Sequence, residues 1–344
     1  MPHHRIPGAT RGSVRRRTAF PVLAAVAAVV FLAVWVAMDF PPLSNGDSDA
    51  ISRSGDPGWS ATPATPVTPA APSASTSTSA STSSPASPSP SPSPSPSPSV
   101  DPDQVLSEQL APILKATTAS LSVAVLDVED GDGADYGVRA GKTYDTASIV
   151  KVDILAALLL KAQDQGRVLT ALEKKYATSM IRVSDNASAD ALWQAIGGAG
   201  GLDAANKRLG LTATTGGSGA LWGLTQSTAA DQLVLLSAVF GDDSDSPLGA
   251  GSRTYIQGLM GGIAADQDWG VSAAGTVTGL KNGWLPRSAT GLWDINSIGR
   301  IVADGHGYLV AVLSSGSVSK EAGISLVEKA AKTAVAVSAS GGSA

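Results

Sequence analysis

The sequence predicts an α+β fold. Its antiparallel sheet has about five strands drawn from both ends of one domain, covered by the first and last helices, with a helical subdomain between. Three observations carry this. Strand-like apolar runs occur at SLSVAVLDV (120–128) with GDGADYGV (131–138), and again at TVTGLKNGW, GLWDINSIGRIVA and YLVAVLSSG between 276 and 316. The stretch between them, from SIVKVDILAALLLKAQDQ at 148 to SRTYIQGLMGGI ending at 263, has the spacing of helices rather than the alternation of strands. Short turns join the three late runs, so they should lie side by side and antiparallel.

The elements before the domain read differently. Residues 1–18 form a basic tail with Arg5, Arg11, Arg15, Arg16 and Arg17 and no acidic residue. Ala19–Met38 carries no charge, and at about 20 residues it is long enough to span a bilayer as a helix. The arginines predict a cytoplasmic N-terminus and a single-pass anchor in the cell membrane; secretion after signal cleavage is the alternative. Residues 39–102 form a Ser/Pro/Thr-rich linker, clearest in SPASPSPSPSPSPSPS (84–99). Such a composition buries too little apolar surface to order itself, and alternating proline favours an extended spacer. Residues 103–344 are the globular domain, held on the extracytoplasmic side.

Within that domain DQVLSEQLAPILKATT opens as an amphipathic helix, the early hairpin follows, and the helical middle runs through LTALEKKYATSMIRV, NASADALWQAIGG, LDAANKRLG and TQSTAADQLVLLSAVF. SKEAGISLVEKAAKTAVAV closes the chain as a helix.

Composition excludes several chemistries. No cysteine among 344 residues removes thiol nucleophiles, thiolate metal sites and disulfides. His306 stands alone in the domain, within a predicted hairpin turn, so a Ser-His-Asp triad is not easily built. HExxH and glycine-rich phosphate loops are missing, and the acidic run 127–137 fits a solvated turn better than a calcium loop. No metal or cofactor is called for. A formal net charge of −5 gives no reason to expect nucleic acid. Oligomeric state is not legible.

A serine without histidine needs another base, and a desolvated lysine can serve because burial frees its amine. TASIVKVDILAALL (146–159) places Ser148 one helical turn before Lys151 inside an apolar run. SDN follows at 184–186, at the junction of two predicted helices, and KNG at 281–283 on a predicted strand ending in Trp284.

S-x-x-K, S-D-N and a K-x-G in this order resemble the class A β-lactamases and penicillin-binding proteins. The domain looks like a β-lactamase/transpeptidase-like serine hydrolase, in particular a secreted actinobacterial branch with KNGW in place of KTG. The resemblance implies that Ser148 is acylated, that Lys151 takes its proton or helps a water do so, and that Ser184 relays a proton to the leaving nitrogen with Lys281 beside it. It further implies that Asn186 binds the substrate amide, that Lys281 and Asn282 meet the substrate carboxylate, and that the strand at Gly283 and Trp284 offers an oxyanion hole from the N–H groups of Ser148 and Trp284. The substrate implied is a β-lactam or a D-alanyl peptidoglycan stem peptide.

Two departures matter. The segment between Lys151 and Ser184 is short for the family, which predicts a more open cleft. The loop that carries the deacylating glutamate in class A enzymes corresponds to LTATTGGSGALWGL (211–224), which has no Asp or Glu. Slow deacylation is therefore expected; a non-catalytic cell-wall peptide binder that keeps the cleft is the competing reading.

Overall fold

The computed structural model describes residues 101–138, 141–241 and 246–341. The expected basic tail, membrane span and nearly all of the linker lie outside the described residues. Among those described, no helix is long and apolar enough to cross a membrane.

The domain begins with α1 (Pro102–Lys115), started by an Asp101 side chain that accepts from the Asp103 N–H and by a proline in the first turn. β1 (Ser120–Asp127) and β2 (Gly133–Tyr136) follow, then a two-residue strand β3 (Tyr144–Asp145). The helical middle comprises α2 (Val150–Asp164), α3 (Ala171–Arg182), α4 (Asn186–Ile196) and α5 (Gly198–Leu209). It continues past β4 (Gln226–Ser227) into α6 (Ala229–Phe240) and α7 (Ala250–Met260). β5 (Thr276–Pro286), β6 (Trp293–Ala303) and β7 (His306–Ser317) complete the sheet, and α8 (Lys320–Gly341) closes the domain. The strand order is β2-β1-β7-β6-β5, antiparallel throughout. β3 pairs with β4 in a small second sheet that the sequence did not announce.

Both faces of the main sheet are covered, which is why its strands read as nearly continuous apolar runs. The pleat divides them. Val123, Val310 and Val312 pack with Leu106 and Leu110 of α1 and Leu326 and Val327 of α8, while Ala124, Leu309, Ala311 and Leu313 join the core of the helical middle. At the centre of that second core lies α2, buried without a break from Val150 to Leu160. A helix apolar on all sides has no solvent face to present, and truncating Leu155 or Leu158 to alanine should cost about 2–5 kcal/mol.

His306 is more than a turn residue. Its Nδ1 lies 2.9 Å from Asp127 Oδ2, and Glu129 Oε2 accepts from the Gly307 N–H at 2.7 Å, so the β1–β2 and β6–β7 turns are tied together. The Asp127 Oδ1 atom accepts from the N–H groups of Glu129 and Asp130. The donors and acceptors of this cluster thus brace one another.

Candidate active site

Ser148 does not sit on the α-helix its sequence context suggests. It occupies a 3₁₀ turn, Ala147–Ile149, that feeds directly into α2. Ala147 holds a left-handed backbone conformation (φ 48°), uncommon for a residue with a side chain and held only where the surroundings over-determine it. Those surroundings are visible. The Thr146 N–H donates to Thr225 O at 2.9 Å, and Asn296 Nδ2 of β6 donates to Asp145 O and Thr146 O at 2.9 and 3.0 Å.

β5 is an edge strand, and Gly283 lets it lie against this turn. A Cβ there would come within 2.6 Å of Thr146 O, 2.9 Å of Ser148 N and 3.0 Å of Ile149 N. Only glycine permits this approach, which sets the backbone of Gly283–Trp284 beside the Ser148 N–H.

The two lysines meet at one hydroxyl. Lys151 is fully buried and its Nζ donates to Ser184 O at 2.6 Å, Ser184 Oγ at 3.1 Å and Asn186 Oδ1 at 2.8 Å. Lys281, equally buried, donates to the same Ser184 Oγ at 3.1 Å and to Asn282 O at 3.0 Å. Ser184 itself has φ 57°, and Asp185 beside it caps α4 by accepting from the Ser188 N–H at 2.7 Å.

Burial lowers the Lys151 pKa to about 8, against the pull of the Asp185 and Asp190 carboxylates, which favour its charge. Lys281 is pushed well below the usual lysine range, first by burial and then by the positive charge of Lys151. Among the described residues neither ammonium is ion-paired with a carboxylate. Two close, desolvated amines without a counter-ion can hold an anion, and a hydroxyl shared between them can pass a proton. Among the described residues no hydrogen bond joins Lys151 to the Ser148 hydroxyl.

The reading of Asn282 as a carboxylate donor is corrected. Strand alternation turns Lys281 and Gly283 toward the serine, and Asn282 and Trp284 toward the opposite face. Asn282 is fully buried and gives its amide hydrogens to Gln267 O (2.7 Å) and Trp269 O (2.9 Å). The Trp284 ring packs with Trp269, centroids 6.0 Å apart, under Lys320 Nζ at 4.4 Å. Its side chain therefore belongs to the α8 side, and only its backbone borders Ser148.

The acid-free loop brings a tryptophan against the buried lysine. Trp222, in a 3₁₀ turn Trp222–Leu224, brings its ring to 4.8 Å from Lys151 Nζ, and its Nε1–H donates to Asp190 Oδ1 at 2.6 Å. Asp190 lies one turn after Asn186 on α4, a spacing that places both on one helix face and was available as a signal. The acids flanking the loop brace it. Asp203 Oδ1 accepts from the Gly216 N–H at 2.7 Å, and Asp231 Oδ2 accepts from the Ala213 N–H and Thr214 Oγ1 at 2.8 and 2.6 Å. Asp153, two residues past Lys151, points away into the core and accepts from Gln232 Nε2 at 3.2 Å.

The fold, a five-stranded antiparallel sheet with a helical middle, has counterparts among solved structures. A class A β-lactamase from Bacteroides cellulosilyticus superposes with a TM-score of 0.59 at 20% identity, covering 69% of this chain and 98% of that one. The TLA-1 extended-spectrum β-lactamase gives 0.60 at 17%, covering 68% and 98%. The fold is that of a class A β-lactamase. An ancestral class A β-lactamase agrees, with a TM-score of 0.54 at 23% identity over 67% of this chain and 99% of that one. At these identities the likeness is one of fold. No family model matches the chain. In sequence it is 35% identical over 117 residues to LppW, a protein of Mycobacterium tuberculosis and M. bovis that carries a lipoprotein name; the match covers 34% of this chain and 36% of LppW. The chain thus spans about a third of the length of the curated relatives it matches.

Proposed function

We propose that the chain is a membrane-held, extracytoplasmic serine acyl-transfer hydrolase of the penicillin-recognising kind, acting on β-lactams or D-alanyl stem peptides through an acyl-enzyme on Ser148. The observation that carries this reading is the pair of buried lysines bonded to one hydroxyl, Ser184 Oγ, beside a serine whose N–H faces the edge strand at Gly283.

Ser148 Oγ bonds to the substrate carbonyl carbon as its proton passes to the Lys151 amine, directly or through a water. With a pKa near 8, about a tenth of Lys151 is in the free-amine form at pH 7. The N–H groups of Ser148 and Trp284 take the charge that develops on the carbonyl oxygen. As the C–N bond breaks, Ser184 gives its proton to the leaving nitrogen and is refilled from Lys151. The buried Lys281 amine, which has no carboxylate partner among the described residues, supports a substrate whose carboxylate would favour its charged form, and Asn186, whose Oδ1 is held by Lys151, keeps its Nδ2 for the substrate amide.

The acid-free stretch 211–224 supports slow deacylation. The arginine-flanked apolar run, the proline-rich linker and the lipoprotein name of LppW support an envelope location.

The test is intact mass of the protein mixed with a penicillin and followed over time beside Ser148→Ala. A persistent adduct of one penicillin mass, missing from the variant, is expected. An adduct that clears rapidly would contradict slow deacylation. No adduct at all would favour the non-catalytic binder, the reading to which Lys151's turn toward Ser184 and Asn186 lends its weight.

A further inference from the structure

Lys151 is clamped from the loop side. Its ammonium has three oxygen acceptors, all from Ser184 and Asn186, and its remaining exposed side is covered by the Trp222 ring. The indole is fixed in turn. Its Nε1–H reaches Asp190 on α4, and the turn beneath it is joined to the nucleophile turn by the Thr146 N–H to Thr225 O bond. The Cα of Ala147 would lie 3.9 Å from a Cβ on Gly223, so loop and nucleophile turn are in contact.

An aromatic face over a desolvated ammonium favours the charged form. Nothing in this clamp points the amine at Ser148. We propose that Trp222, braced by Asp190, is a positioning residue that holds Lys151 protonated and turned toward α4, so that the resting site is restrained and Ser148 acylates only as the clamp releases the amine. This rests on Lys151 being the base of the reading above.

Burial, the largest influence on Lys151, opposes its proton, Asp185 and Asp190 on the α4 side favour it, Lys281 on β5 shares the Ser184 hydroxyl, and Asp153 on its own helix is turned to Gln232. Removing the ring removes an attraction that favours the ammonium. Leucine in place of Trp222 keeps an apolar cover over the amine, so the loss of the ring's attraction sets the sign. Trp222→Leu should therefore lower the Lys151 titration midpoint by about half a unit to one and a half units and move the rise of the acylation profile to lower pH by a similar amount. At neutral pH the variant should acylate faster than the parent by about three-fold or more.

The experiment follows the ¹³Cε resonance of Lys151 in the full chain, assigned by its loss in Lys151→Met, across pH. The parent is compared with Trp222→Leu, Trp222→Phe and Asp190→Asn, and fluorescent penicillin labelling is measured in parallel. Phenylalanine keeps an aromatic face and should hold the midpoint near that of the parent, whereas leucine and Asp190→Asn should lower it. An unchanged midpoint in Trp222→Leu overturns the proposal, as does an equal fall in the leucine and phenylalanine variants. Slower labelling with an unmoved midpoint assigns Trp222 a packing role only and overturns it too. If no form is labelled, the β-lactam reading fails while the titration still decides the clamp.

Discussion

Replacing Gly283 with alanine probes the closest approach in the site. The new methyl would stand 2.6 Å from Thr146 O, 2.9 Å from Ser148 N and 3.0 Å from Ile149 N, all backbone atoms that no rotamer change can move aside. Restoring an ordinary 3.4 Å contact to Thr146 O requires the edge strand or the nucleophile turn to give by about 0.8 Å, the difference from 2.6 Å. Overpacking of this kind costs about 1–3 kcal/mol, which for a domain of this size lowers Tm by about 2–12 °C. The displacement falls on the two backbone N–H groups that would receive the carbonyl oxygen. A misplacement approaching 1 Å costs about 10²-fold in rate. Thermal melting and the rate of penicillin labelling, measured on the same preparation, check both halves. A Gly283→Ala protein that melts with the parent and labels at the parental rate would refute the claim that β5 abuts the Ser148 turn.

Other perturbations separate charge from structure. Lys281→Met removes a buried amine that has no carboxylate partner among the described residues; the fold should be as stable or more stable in urea, while labelling falls about 10²-fold or more. A loss of several degrees in Tm would mean that the charge is compensated. Asp153 is pushed up to about 7 by burial, which outweighs its bond from Gln232. Between its ordinary value of 3.8 and about 7 the folded state keeps a proton that the unfolded chain gives up, so stability falls by about 1.4 kcal/mol per pH unit. Asp153→Asn lacks that slope and should gain on the parent as pH rises through this window, whereas parallel urea-melt curves would contradict it. Asp185→Ala removes the cap of α4 at a cost of about 1 kcal/mol at neutral pH. The bond from Ser188 holds that carboxyl below its ordinary range against the effect of burial, so its contribution is present at neutral pH. It is lost in acid as the carboxyl protonates, and the two melting curves should converge there.

Much of the fold was legible because hydrophobic periodicity is a local signal. α2 announced itself as a central helix by being apolar on every side, and the five strands by their position at the two ends of the domain. The exact seat of Ser148 was not legible, since a 3₁₀ turn held by Thr225 and Asn296 depends on residues far along the chain. Lys281 and Gly283 lie on the strand face that meets the Ser148 turn and Ser184. Asn282 and Trp284 could have been set apart from them by the period of two along a strand, which turns neighbouring side chains to opposite faces. Trp222 gave no local sign of its role. Its partners Lys151 and Asp190 lie on different helices, and the loop that carries it has no periodicity. His306 and Asp127 likewise meet only through the pairing of β1 with β7.

The central claim is that Ser148 carries the acyl group. Trypsin cuts after Lys142 and Lys151 and frees residues 143–151, TYDTASIVK, in which Thr143, Thr146 and Ser148 are the aliphatic hydroxyls. Tandem mass spectrometry of that peptide after penicillin treatment should place the added mass on Ser148 alone. An adduct on another residue, or an unmodified peptide from a fully exposed sample, would contradict the account.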